Sequence, residues 1–261
     1  MILIKGAVMA IHNTVVYDLH SHILPKMDDG SKSSAESIQM LEELAAQGIE
    51  SVVATPHFYP WSDEPEFFFD RRTASYARLR EAIEESGVKN IPTVHIGAEV
   101  AFFRGLANYR DLSKLCIMGT EYILIEMPFE KWTGLMIDEV VSIKSDRSVT
   151  PIIVHIERYL PFMDESMLDE LIANGCIIQG NTSPLLKFFE RRRVIDLIKK
   201  EKIHVLGSDC HNMTTRAPNM SDASRVLNER IGEGAVSTFN ANAREILKNA
   251  WDLPRIVGEE K

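Results

Sequence analysis

The sequence predicts an α/β protein whose parallel strands close, or nearly close, into a barrel of seven. Two observations carry that prediction. From Val15 onward, short β-branched runs alternate with longer segments of helical period. Nearly every run also ends in a histidine or a carboxylate, as expected where chemistry collects at the C-terminal ends of barrel strands.

In chain order the strand runs are VVYDLH (15–20), IESVVATPH (49–57), PTVHIGAE (92–99), YILIEM (122–127), PIIVHIE (151–157), CIIQGN (176–181) and IHVLGSD (203–209). The first intervening helix is expected to open on a Ser33–Glu36 capping box, to bury Ile38, Leu41, Leu44 and Ala45, and to close at Gly48. Further helices fit 66–86 before Gly87, 133–146, 164–174 before Gly175, 188–201, 222–231 and 242–250. No linker, low-complexity tract or repeat interrupts the pattern, so one domain over residues 1–261 is expected. Residues 1–14 read as a short N-terminal extension or edge strand.

Composition narrows the function. The 261 residues are 45% hydrophobic and 26% charged, which suits a globular protein with a sizeable core. A net charge of −9 argues against a surface for nucleic acid or anionic lipid, so a bound phosphate needs local cations. Three scattered cysteines, with no C-x-x-C pair, fit a reducing compartment. The opening MILIKGAVMAI is interrupted by Lys5, too short for a membrane span and a poor signal peptide, so a cytoplasmic protein is expected.

The chemistry lies at the strand ends. His20 and His22 are two apart, which on a strand sets both side chains on one face with Cα atoms about 6.5 Å apart, so the rings can converge on one metal. Alone, this H-x-H also fits a solvated strand end. It is joined by His57, Glu99, Glu126 and His155 at the ends of four further runs and by Asp209 and His211 at the end of the last. Imidazole and carboxylate donors without thiolate point to manganese, iron or zinc. Their number exceeds the needs of one tetrahedral ion, so two or three ions are expected, with a carboxylate such as Glu99 bridging. Arg158 and Arg216 follow His155 and His211 closely and suit a phosphoryl group.

Cys210 to Arg216 also fits the C-x5-R spacing of cysteine phosphatases, but the loop lacks glycine and Cys210 should point away from the face shared by Asp209 and His211. His12, His95, His204, the Phe67–Phe69 run and Trp61 are expected to serve ordinary packing or surface roles.

Taken together, DLHSHILPKMDDG, TPH, GAE, IEMP, HIERY and SDCHNMTTRAP resemble the PHP (polymerase and histidinol phosphatase) superfamily. Within it they are most similar to the bacterial manganese-dependent protein-tyrosine phosphatases of capsule and exopolysaccharide biosynthesis, from Tyr17 to Leu247. The resemblance implies a distorted seven-stranded (β/α) barrel of the PHP, TIM-barrel-like kind. Its implied metal ligands are His20, His22, Asp29, His57, Glu99, Glu126, His155, Asp209 and His211, with Arg158 and Arg216 on the phosphate and His155 and Asp209 also essential to catalysis.

It further implies Mn2+ as cofactor, in two or three ions with Fe or Zn as alternatives, and a phosphotyrosine protein as substrate. The tyrosine-rich tail of a bacterial tyrosine kinase is the implied partner. A small-molecule phosphatase, such as one acting on histidinol phosphate, and a non-catalytic regulatory protein are the competing readings. The sequence departs from similar members at Lys26, where glycine is frequent, and at Phe58, where histidine or tyrosine is frequent and a changed pocket wall is expected.

Overall fold

The computed structural model describes residues 13–251. His12 and the first 12 residues of the expected extension lie outside them. The strands are β1 Tyr17–Ser21, β2 Ser51–Ala54, β3 His57–Phe58, β4 Thr93–Ile96, β5 Glu99–Ala101, β6 Tyr122–Glu126, β7 Thr150–Ile153, β8 Ile177–Asn181 and β9 Val205–Gly207.

The predicted second and third strands are each broken, into β2 and β3 and into β4 and β5. Pro56 has no N–H for the ladder, and the bend it introduces is matched at Gly97, whose backbone N–H still donates to Ala54 O at 2.8 Å. One sheet runs β1-β2-β4 and the other β3-β5-β6-β7-β8-β9, every pairing parallel. The two broken strands carry the chain from one sheet into the other. The ring closes between β9 and β1, where Asp209 N–H donates to His20 O and His22 N–H to Cys210 O, both at 2.8 Å. The result is the expected distorted barrel of seven strand paths.

The helices are α1 Ser34–Ala46, α2 Pro65–Ser86, α3 Leu112–Leu115, α4 Gly134–Arg147, α5 Glu165–Ala173, α6 Ser183–Leu186, α7 Phe188–Lys199, α8 Met220–Arg230 and α9 Glu233–Leu247. In α1 the Ser33 hydroxyl accepts from Glu36 N–H as predicted, but the Glu36 carboxylate accepts from Lys32 N–H, at 2.8 Å, so the capping box is only half made. Its buried face is Ser37, Met40, Leu41 and Leu44, with Ile38 and Ala45 at the margin.

The last helix starts at residue 233 rather than 242. Gly232, Gly234, Ser237 and Thr238 weaken the local helix signal, while burial of Val236, Phe239 and Asn240 overrides it. Asn240 then ties down the start of β1, accepting from Val16 N–H and donating to Thr14 O.

Core residues form two groups. The larger packs strand residues such as Val52, Ile96, Ile125 and Ile178 against α1, α4 and α5. In the smaller, Leu19, Val53, Leu124, Ile152 and Val205 meet Ala243 and Ile246 of α9. Burying these apolar faces is what holds the strand ends in a common rim. Among the described residues, no helix is long and apolar enough to cross a membrane.

Candidate metal centre

Glu99 lies at the middle of the rim. Its Oε2 is within 3.2 Å of His20 Nε2 and His22 Nε2 and 3.0 Å from His57 Nδ1, yet it accepts a well-directed hydrogen bond from none of them. Its Oε1 is 2.8 Å from His155 Nε2, and Glu126 approaches His155 and His57 at 3.7 and 4.0 Å. Asp209 Oδ1 is 3.5–3.7 Å from His22, His20 and His211. Asp29 is more exposed and reaches His57 Nε2 at 3.5 Å and His211 Nε2 at 3.3 Å. The nine sequence-predicted ligands therefore surround one cleft.

Eight of them fall into three overlapping sets whose donor atoms lie within 4.8 Å of one another: His22, Asp29, His57 and His211; His20, His22 and Asp209; and His57, Glu99 and Glu126. His155 belongs to no set and meets the cluster through Glu99 and Glu126.

The hydrogen bonds fix which nitrogen of each ring faces inward. His20 Nδ1–H donates to Gln179 Oε1 at 3.2 Å, His22 Nδ1–H to Asp28 Oδ2 at 2.8 Å, and His211 Nδ1–H to Asp209 O at 3.0 Å. Each turns its Nε2 toward the cleft, the arrangement found behind metal-bound histidines, and there His211 Nε2 accepts from Arg216 Nη1–H at 2.8 Å. His20 and His22 Nε2 are then 3.3 Å apart. Two bare lone pairs at that distance repel, so the pair calls for a proton or a metal cation between them.

Charge makes the same demand. Among the described residues, the carboxylates of Asp28, Asp29, Glu99, Glu126 and Asp209 face the imidazoles of the rim, with Arg158 and Arg216 paired to Asp209 and Arg216 also to Asp29. Burial favours a neutral His22, but Asp28, Asp209 and Glu99 outweigh it and hold its pKa well above the usual value. Burial pushes Glu126 up to about 7, with the Glu99 charge adding to it, and brings His155 down to about 4, so that this imidazole is neutral and able to ligate. The donor set, the facing imidazole nitrogens and the surplus of negative charge all fit divalent ions.

Arg158 and Arg216 converge on Asp209 Oδ2, Arg216 at 2.6 Å, while about a third of each side chain stays open to solvent. His155 and Asp209 have positive φ, 36° and 54°, conformations that cost energy in non-glycine residues and concentrate at working sites.

Several supporting residues escape the sequence reading. Gln179 accepts from both His20 and His155 N–H, and Asn181 donates to Asp209 at 2.9 Å. They stand two apart on β8, the same spacing as His20 and His22, and that was the available signal. Asp28 adjoins Asp29 in sequence but points at His22 and at the N–H groups of Gly30 and His57. Asp18 accepts from Ser208 N–H and Oγ–H and so holds the turn that presents Asp209.

Phe58 is not pocket wall, contrary to expectation. It is buried against Phe68 and Tyr109, because side chains alternate and His57 takes the inward position. Tyr59 instead stacks on His57, with ring centroids 5.1 Å apart. Lys26 has φ 58°, which accounts for glycine being favoured there. Cys210 is buried in the apolar core, and burial raises its thiol pKa, so it offers no thiolate.

A parallel barrel that gathers imidazoles and carboxylates at its C-terminal rim stands with the barrel proteins that carry metal-dependent chemistry there. More narrowly, the chain belongs to the family described as "Capsular polysaccharide synthesis, CpsB/CapC", whose model matches residues 16–248.

It is 30% identical over 246 residues to the tyrosine-protein phosphatase YwqE of Bacillus subtilis, covering 89% of this chain and 91% of that protein. It is also 30% identical over 247 residues to the tyrosine-protein phosphatase CpsB of Streptococcus pneumoniae, covering 88% and 97%. A solved structure from work on these two proteins, described as unique metal-dependent tyrosine phosphatases, superposes with a TM-score of 0.77 at 26% identity, covering 91% of this chain and 97% of the other. The inactive dihydroorotase-like domain of a Chaetomium thermophilum protein, at 9% identity and a TM-score of 0.52, shares the fold alone.

Proposed function

We propose that this protein hydrolyses phosphotyrosine in proteins, with Mn2+ as its working metal. His20, His22, Asp29, His57, Glu99, Glu126, His155, Asp209 and His211 hold two or three ions in this reading. The observation that carries it is the pair of imidazole nitrogens 3.3 Å apart, both turned inward by acceptors at Nδ1. When bound, the ions supply Lewis acidity and lower the pKa of water.

The chain's own residues do the rest. Arg158 and Arg216 bind the phosphoryl oxygens and offset the charge that spreads over them. Asp209 aligns both guanidiniums while facing His20 and His22 with its other oxygen. Gln179 and Asp28 keep the rings in one tautomer. A tyrosine phenolate, with a pKa of about 10, departs more readily than an alkoxide, so no strong general acid is required. The proposed setting is the cytoplasm, and the proposed partner is the tyrosine-rich tail of a bacterial tyrosine kinase.

The test compares a phosphotyrosine peptide, a phosphoserine peptide and histidinol phosphate as substrates for protein of measured metal content, with and without chelator. Turnover should be largest for phosphotyrosine and should vanish on chelation. Faster turnover of histidinol phosphate would replace this reading with the small-molecule one.

A further inference from the structure

Two aromatic groups rise from the rim on either side of Glu126, and neither ligates nor fills the core. On the His57 side, Tyr59 stacks on the imidazole and Trp61 follows with its ring 5.5 Å from Tyr59 and 69% of its surface exposed. On the His155 side, Phe129 is 53% exposed and lies parallel to the His155 ring, within 16°, at 6.4 Å. Glu126 lies between the two imidazoles, 4.0 Å from His57 and 3.7 Å from His155.

Exposed aromatic rings cost hydration free energy, and packing fixes where Phe129 and Tyr59 stand. Phe129 rests on buried Tyr159 at 5.3 Å, and Tyr159 rests on buried Trp132 at 5.2 Å. Trp132 in turn fastens its loop through N–H to Phe162 O at 2.8 Å and through Nε1–H to Pro128 O at 3.3 Å. Across the cleft, Asp63 accepts from Tyr59 N–H and from Arg71, and its own N–H donates to Tyr59 O. Tyr59 and Phe129 thus stand as preplaced aromatic faces on the two sides of Glu126, and a preplaced face lowers the ordering cost of receiving a flat ring.

We infer that Tyr59 and Trp61 on one side and Phe129 on the other hold the aryl ring of the substrate while its phosphoryl group meets the cluster and Arg158 and Arg216. This rests on the phosphatase reading above and names the residues that favour its aryl substrates over alkyl ones. Offset or edge contacts with such faces are worth about 0.5–1.5 kcal/mol each, so removing one should lower selectivity by roughly 2- to 12-fold.

The test measures kcat/KM for a phenyl phosphate ester and for an alkyl phosphate ester of equal charge. In Phe129→Ala the aryl-to-alkyl ratio should fall several-fold through KM, and Phe129→Tyr should restore it. A Phe188→Ala, Phe189→Ala variant, altered at exposed rings on α7, should leave the ratio unchanged. Binding gives a second readout independent of turnover: phenylphosphonate should change the Trp fluorescence of the metal-loaded protein, and Trp61→Phe should abolish the change although Trp132 and Trp251 remain. An unchanged ratio in Phe129→Ala, or a signal that survives in Trp61→Phe, overturns the aryl contact. If the metal-loaded protein turns over no phosphomonoester, the phosphatase reading fails instead, and the phenylphosphonate titration alone decides the aryl contact.

Discussion

His20, His22, His57, His155 and His211 share a residue type with His95 and His204 and little else. The first five surround Glu99, Asp209 and Asp29. His95 donates from Nδ1 to Trp251 O, and His204 accepts at Nδ1 from Ile178 N–H and precedes β9 at the opposite end from the rim. Backbone groups satisfy the second kind locally and ask for nothing further. His20, His22 and His211 have Nδ1 satisfied and Nε2 directed at carboxylates and at one another, whereas His57 turns both nitrogens to carboxylates and His155 turns Nε2 to Glu99 and Glu126. What distinguishes a proposed ligand from a structural histidine is thus the partner on each nitrogen.

The largest effect should come from exchanging a member of each group. His155→Ala is expected to lower kcat/KM on phosphotyrosine peptide by on the order of 10³-fold or more, the scale of losing an essential catalytic group. His204→Ala should keep the rate within about twofold and lose roughly 1 kcal/mol of stability, read by denaturant unfolding, with its backbone hydrogen bond. Equal rate losses in the two variants, at equal metal content, would erase the distinction.

Arg216→Ala should come next. Removing one positioned donor to the phosphoryl oxygens is expected to cost about 2–4 kcal/mol of transition-state stabilisation, seen in kcat with metal content retained. A loss confined to metal binding would show that Arg216 serves Asp209 and Asp29 rather than substrate.

Asp28→Asn probes the support behind one ring. The amide keeps the shape but can no longer hold His22 Nδ1–H as a carboxylate does, and metal affinity should fall by about 10- to 100-fold. Competition titration with a chromogenic chelator reads this directly. Unaltered affinity would make Asp28 a packing residue.

The smallest effect is expected at Cys210. Cys210→Ser should retain most of the rate, because the thiol is buried and protonated, while the buried hydroxyl costs roughly 1–3 kcal/mol in thermal or denaturant unfolding. A metal-replete but inactive Cys210→Ser protein would bring the cysteine mechanism back.

Most of the rim was legible in the sequence because a parallel strand delivers its last residues to one end, so a histidine or carboxylate there announces itself. The less legible features depend on what lies across the fold. Gln179 and Asn181 carry no charge and look like ordinary strand residues until His20, His155 and Asp209 stand beside them. Asp28 and Asp29 are neighbours with different tasks, set only by the direction each takes after the turn. Phe58 was expected in the pocket wall, yet with His57 facing the cleft the alternation of side chains buries Phe58 and brings Tyr59 to the His57 ring. The early start of α9 was hidden by glycines whose weak propensity tertiary packing overcomes.

The central claim is that these imidazoles and carboxylates hold divalent ions on which phosphate hydrolysis depends. Its most direct test is activity on phosphotyrosine peptide measured beside metal content as the protein is stripped with chelator and reloaded with Mn2+. Rate and bound metal should fall together and return together, with Mn2+ restoring activity at least as well as Zn2+. Full activity in protein shown to be free of metal would contradict the account.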